Sequence, residues 1–259
     1  MSAPPRSYAH PPPWHPLWAE LCCFLGQDAF RPDWCTDSDE KTFEEARRYP
    51  DVGTFYRESQ VLCYQGVAYH LAGWKRKYHS VLLQLGMGPL TVLDYGCGNG
   101  HDGFTFLEYG YDVTFADRPG WPLAFCRWRL EQRGYEARTL TLGHDTLPGN
   151  VNFIWCMDVL EHLPPEEQPQ LLETLARLGR VVCTNLIHDV RADGQIHYPV
   201  DLDGLTAHVQ ARWAGMSQDV HKSANGNVTR FLLYGEGVTA NADGGITVDV
   251  RGTGEGKAC

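Results

Sequence analysis

The sequence predicts an α/β fold: a mostly parallel sheet with helices on both faces, carried behind a helical N-terminal cap. Three observations predict it. From Leu90 onward, short apolar runs alternate with amphipathic stretches, the pattern of a parallel sheet wrapped by helices. Several of those runs close on an acid, at Asp94, Asp117 and Asp158. Before Leu90, apolar residues recur near helical spacing instead.

The bulk numbers suit this fold. A chain of 259 residues can bury a full α/β core with an added cap. Hydrophobic content of 43% and charged content of 21% are those of an ordinary globular protein. A net charge of −10 argues against non-specific binding to nucleic acid or to an anionic membrane. No apolar run approaches the roughly 20 residues a membrane-spanning helix needs. The Pro- and His-rich start lacks the apolar stretch of a signal peptide. The nine cysteines include no C-x-x-C pair, and Cys156 and Cys183 sit inside apolar runs. That usage points to free thiols in a reducing, cytoplasmic compartment.

Residues 1–16 read as a flexible arm, with Pro11-Pro12-Pro13 favouring extended structure. A cap follows over residues 17–88. Leu17–Gly26 clusters apolar residues as a short helix. A second helix is expected from Lys41, with Thr42 and Glu45 as its capping box. Tyr56–Leu85 is the longest helical pattern, and Gly66 and Gly73 allow it to be two helices. Tyr56, Tyr64, Tyr69, Trp74 and Tyr78 form either a lid over a ligand or the buried face of these helices. Lys75-Arg76-Lys77 reads as a solvated face.

The core is expected over residues 89–235. Its first strand is Leu90–Asp94, followed by a helix from about Asp102 to Tyr109. Tyr111–Asp117 is the second strand, and Trp121–Arg133 is a helix stopped by Gly134. Glu136–Leu142 and the strongly apolar Val151–Asp158 are strands three and four. Glu166–Leu178 is a helix, Arg180–Asn185 strand five, and Asp203–Trp213 one more helix. Val228–Tyr234 is a strand that pairs with Ser217–His221 across Asn225-Gly226. The Gly-rich tail, residues 236–259, is either irregular or a hairpin around Asp243-Gly244-Gly245.

In an open parallel sheet, ligands bind beyond the carboxyl ends of the strands. The polar residues there are Asp94, Asp117, Asp145, Asp158, Asn185 and His188. The first strand runs into V-L-D-Y-G-C-G-N-G, whose alternating Gly96, Gly98 and Gly100 let a ligand lie on the backbone. Gly98–Gly103 also matches G-x-G-x-x-G, a dinucleotide pattern, but on its own that is weak. Asp94, two residues before the first glycine, is unwelcome beside a pyrophosphate. It suits a ligand with a cationic group.

These residues together resemble a family. V-L-D-Y-G-C-G-N-G, the acid closing V-T-F-A-D, the segment G-H-D-x-L-P and F-I-W-C-M-D-V-L-E-H-L are similar to the class I S-adenosylmethionine-dependent methyltransferases over about Leu90–His188. The resemblance implies a seven-stranded sheet with an antiparallel final strand and S-adenosyl-L-methionine as cofactor. By the same resemblance, Asp94 and the backbone of Gly96, Gly98 and Gly100 hold the methionine part. Asp117 accepts the ribose hydroxyls, with the stem of Arg118 against the adenine. Asp145, with Thr146 nearby, bonds the exocyclic amine. Met157 and Asp158 line the floor beside the transferable methyl.

Methyl transfer is an in-line displacement at a sulfonium, for which the protein supplies alignment and charge. A hydroxyl acceptor also needs a base or a metal. His162 and His188 are the catalytic candidates, and His101 and His144 are further possible bases. The E-x-x-E-H metal site of ubiquinone-pathway O-methyltransferases and small-RNA 2′-O-methyltransferases resembles Asp158, Glu161, His162 and His188. The shorter Asp158 favours the reading without metal. The expectation is therefore a cytoplasmic methyltransferase acting on a small-molecule hydroxyl, amine or carboxylate, with no membrane or nucleic-acid partner. An RNA or protein methyltransferase and a non-catalytic cofactor-binding protein are the alternatives.

Overall fold

The computed structural model of the chain describes residues 15–36, 38–73, 90–190, 196–222, 226–241 and 246–251. Its helices in chain order are α1 (Pro16–Leu25), α2 (Ser38–Ala46), α3 (Val52–Glu58), α4 (Val61–Leu71), α5 (His101–Glu108), α6 (Trp121–Arg133), α7 (Gln168–Leu178) and α8 (Leu202–Gln210). Its strands are β1 (Thr91–Tyr95), β2 (Asp112–Asp117), β3 (Arg138–Thr141), β4 (Val151–Cys156), β5 (Gly179–His188), β6 (Gly215–Lys222), β7 (Val228–Tyr234), β8 (Val238–Ala240) and β9 (Ile246–Val248). The chain forms two compact units. One comprises residues up to 84 together with 98–101 and 118–136, and the other takes 85–97, 102–117 and 137–259.

The second unit is built on a seven-stranded sheet in the order β3-β2-β1-β4-β5-β7-β6. The neighbours from β3 to β5 are parallel, whereas β7 runs antiparallel to both β5 and β6. This is the sheet expected from the resemblance. Leu93, Ile154, Cys156, Val182 and Leu186 share its core with Leu172 and Leu175 of α7 and Leu205 and Val209 of α8. The α7 leucines fall at helical spacing, which puts one apolar stripe on the sheet. Tyr234 anchors the antiparallel strand by donating its buried hydroxyl to the Leu172 carbonyl at 3.0 Å.

Strand five is longer than its apolar run suggests. It continues past Asn185 to His188 because β7 pairs with it as far as Val228. Strand three is shorter, at Arg138–Thr141. The tail does form an antiparallel pair, β8 with β9, and Asp243-Gly244-Gly245 lies outside the described residues. Strands β6 and β7 pair antiparallel as expected, with a register shift between Asp219 and His221, and Asn225 of the expected turn lies outside the described residues.

In the first unit, α1 opens on Pro16, and the His15 ring accepts the Leu17 amide. Helix α2 begins at Ser38, ahead of the expected capping box. Thr42 therefore lies inside the helix, where its hydroxyl donates to the Ser38 carbonyl at 2.7 Å. Asp39 and Glu40 occupy the first turn, where carboxylates complement the helix dipole. The pattern from Tyr56 is split at Ser59 and Gln60 into α3 and α4. Asp51 caps α3 through the Thr54 amide at 2.8 Å. Trp74, Tyr78, Leu85 and Lys75-Arg76-Lys77 lie outside the described residues. Tyr64 is a core residue, packed among Trp18, Phe30 and Trp34.

Candidate functional site

In the sheet unit, the carboxyl ends of the parallel strands carry the predicted acids. Asp94 ends the buried part of β1 and is itself buried, at 3% exposure. Its Oδ2 accepts the Gly103 amide at 3.0 Å, so the carboxylate stands at the amino end of α5, where the helix dipole favours it. A Cβ at Gly103 would sit 2.7 Å from that oxygen and collide with the Phe115 ring. Gly96, at φ +71°, leaves no room for a side chain against Val159. The Gly96 and Cys97 amides both donate to the Ala116 carbonyl, at 2.8 and 3.1 Å. The start of the glycine loop is thus tied to β2.

The rest of the loop, Gly98–His101, belongs to the helical unit. Asn99 donates its side-chain amide to the Cys63 carbonyl of α4 at 2.8 Å. Arg129 on α6, at 2% exposure, donates to the Asn99 carbonyl at 2.7 Å and to Glu20 of α1 at 3.1 Å. Burial pulls its guanidinium down to about 10, and the Glu20 carboxylate opposes that shift. The His101 ring stacks on His70 with centroids 4.3 Å apart. Gly98 and Gly100 both have positive φ.

Asp117 closes β2 half-buried, and its carbonyl accepts the Leu142 amide at 2.8 Å. Arg118, grouped with the helical unit, is exposed. Asp145 and Thr146 are exposed in the turn after β3. There Asp145 Oδ2 accepts the Thr141 amide at 2.7 Å, so part of its hydrogen-bonding capacity serves the turn itself. Beyond β4, Met157 is buried. Asp158 adopts φ +58°, a left-handed conformation that few side chains occupy. Asn185 holds it there: the Asp158 amide donates to Asn185 Oδ1 at 2.7 Å, and Asn185 Nδ2 donates back to Asp158 Oδ1 at 2.6 Å.

The histidine candidates separate. His188 ends β5 exposed and pairs through its backbone with Val228. His162 turns inward instead. Its Nδ1 lies 3.0 Å from the Ile196 carbonyl, and its Nε2 lies 4.0 Å from the carboxylate of buried Glu161. The ring centroid of His197 is 5.0 Å from that of His162. His197 Nδ1 lies 2.8 Å from Oδ2 of Asp189, whose side chain is 3% exposed. Asn185 was named in the sequence only as a polar strand end, and Asp189 and His197 were not among the predicted site residues. Among the described residues, no three histidine, cysteine, aspartate or glutamate side chains form a group that would hold a metal ion. No described helix is long and apolar enough to cross a membrane.

Comparison with known proteins fits this geometry. Residues 92–180 match the family model described as a methyltransferase domain. A ubiquinone biosynthesis O-methyltransferase from Pseudomonas paraeruginosa is 32% identical over 83 residues, 30% of this chain and 36% of that protein. A tRNA U34 carboxymethyltransferase from Pseudomonas fluorescens is 30% identical over 119 residues, 43% of this chain and 37% of that protein. The chain thus spans little more than a third of these curated relatives' length. Among solved structures, the magnesium protoporphyrin IX methyltransferase of Synechocystis PCC 6803 with bound SAH aligns at a TM-score of 0.53. That match has 18% identity and covers 78% of this chain and 96% of that one. Phosphoethanolamine N-methyltransferase 2 of Haemonchus contortus, in complex with S-adenosyl-L-methionine, aligns at 0.52 with 12% identity, over 64% of this chain and 53% of that one.

Proposed function

We propose that this chain, a class I S-adenosylmethionine-dependent methyltransferase by its fold and its methyltransferase domain, moves the methyl group of S-adenosyl-L-methionine onto a small-molecule acceptor. The observation that carries the reading is the strand-end rim. A buried acid at the mouth of a glycine loop (Asp94) is followed by Asp117, Asp145 and Asp158 at the ends of successive strands of the sheet. Such a rim offers acceptors to an ammonium, a ribose and an amine, and it repels phosphate.

In this reading Asp94 and the amides of Gly96, Gly98 and Gly100 take the methionine part, and Asp117 takes the ribose diol. Arg118 lies against the adenine, Asp145 and Thr146 meet its amine, and Met157 and Asp158 back the methyl. Residues 17–88 act as cap and 89–235 as donor-binding core, between an N-terminal arm and a Gly-rich tail. The cytoplasm is its compartment.

The ubiquinone-pathway relatives support a small-molecule acceptor. The tRNA carboxymethyltransferases support an RNA acceptor instead, and a net charge of −10 weighs against it. Calorimetry with S-adenosylmethionine and with its demethylated product, followed by turnover on an acceptor panel, tests the reading. Binding of both with turnover on a small molecule is the expected result. Binding without turnover on any acceptor would favour a binding-only protein, and absence of binding would discard the donor.

A further inference from the structure

Among the described residues, only Asn150 and Asp158 take positive φ without being glycine. Asn150 is exposed in the turn before β4, where that conformation is ordinary for asparagine. Asp158 differs because a buried side chain fixes it. Asn185 is 1% exposed and meets Asp158 at two points, 2.7 Å from the backbone amide and 2.6 Å from the carboxylate. The backbone N–H only donates and the ionised carboxylate only accepts, so the Asn185 amide has one orientation that satisfies both. Backbone strain persists where its surroundings over-determine it, and such places cluster at functional sites.

The strained turn also reaches the glycine loop. Val159, next in the chain, packs on Gly96 so closely that a Cβ there would overlap its Cγ2 methyl. Gly96 therefore has two supports: Val159, and the Ala116 carbonyl that accepts its amide at 2.8 Å. The series Asn185, Asp158, Val159, Gly96 runs across the ends of three neighbouring strands, β5, β4 and β1.

We propose that Asn185 is a positioning residue for the methyl donor. By holding Asp158 in the left-handed turn it seats Val159 on Gly96, and so fixes the start of the loop that receives the methionine part. The inference rests on the methyl-donor reading above. Asn185 touches Asp158 rather than the donor, and its effect on binding passes through the backbone of residues 158 and 159. Without the clamp the turn relaxes toward negative φ, Val159 leaves Gly96, and the donor has to order the loop as it binds, which weakens it.

The test uses the whole chain and its affinity for the demethylated donor product, read by calorimetry well below the melting temperature. Urea denaturation and hydrogen exchange of the Asp158 amide are followed alongside. Asn185→Asp keeps the shape but sets a second carboxylate against Asp158 Oδ1. Combined with Asp158→Asn, the same substitution moves the carboxylate to position 185, where it accepts both the backbone amide and the new side-chain amide. Asn185→Asp should speed exchange of the Asp158 amide and weaken product binding about tenfold, and the exchanged pair should recover most of both. Val159→Ala should weaken binding in the same direction while leaving the Asp158 amide protected.

A clamp that serves stability alone would lower the urea midpoint of Asn185→Asp and leave its affinity at the wild-type value. That result, or a loss of affinity that the exchanged pair does not recover, overturns the proposal. Should Asn185→Asp fail to fold, Val159→Ala decides: weaker binding supports the proposal and wild-type binding overturns it. Failure of the wild-type chain to bind the product would discard the methyl donor, and this role of Asn185 with it. Slow exchange of the Asp158 amide would then show that the clamp itself is intact.

Discussion

At the scale of the residue, the acids of the rim divide between folding and binding. Asp94 and Asp145 each accept a backbone amide of their own neighbourhood, and Asp117 is proposed to take the ribose diol. On that proposal Asp117→Ala should weaken binding of the demethylated donor product by about 1–3 kcal/mol, read by calorimetry. Unchanged affinity would remove the ribose from Asp117. Gly103→Ala has the opposite balance. Its methyl meets Phe115 and the Asp94 carboxylate, so thermal stability should fall by about 1–3 kcal/mol, and a native-like melting curve would contradict the packing. Sequence made the first acid legible because a strand end followed by glycines is a local pattern. The clamp on Asp158 was not legible, since its partner Asn185 is 27 residues away and meets it only through the β4–β5 register.

At the scale of the element, the helical unit is knit together by a buried polar network. Helices α1, α4 and α6 converge on Asn99 through Arg129, Glu20, Cys63 and the bare backbone of Gly66. Arg129→Met should destabilise the protein by about 3–5 kcal/mol, because Glu20 and the Asn99 carbonyl lose their buried partner. A loss below about 1 kcal/mol in chemical denaturation would show the network to be incidental. The periodic strands and α7 could be read from sequence because burial repeats along them. The start of α2 could not, because Thr42 has the composition of a cap and yet bonds one turn back to Ser38.

At the scale of the whole molecule, the thiols set an alkaline limit. Burial raises Cys35 from 9.0 to about 12 and pushes Cys63, Cys156 and Cys183 upward as well. Below pH 9 these groups are protonated in both states and favour neither. Above it the unfolded chain releases protons that the folded chain retains, so stability falls as pH rises, by up to about 1.4 kcal/mol per pH unit for each thiol. Urea midpoints between pH 8 and pH 11 should decline along that slope, and a flat profile would mean that the thiols ionise in place. A thiol reagent at neutral pH should label exposed Cys23 well before Cys63 or Cys183.

The register shift in β6 has a further consequence. Ser217, Gln218 and Lys222 of that outermost strand are exposed, and its ladder breaks between Asp219 and His221. An edge interrupted in this way is a poor template for a foreign strand. The irregularity therefore disfavours growth of the sheet by strand addition on that side.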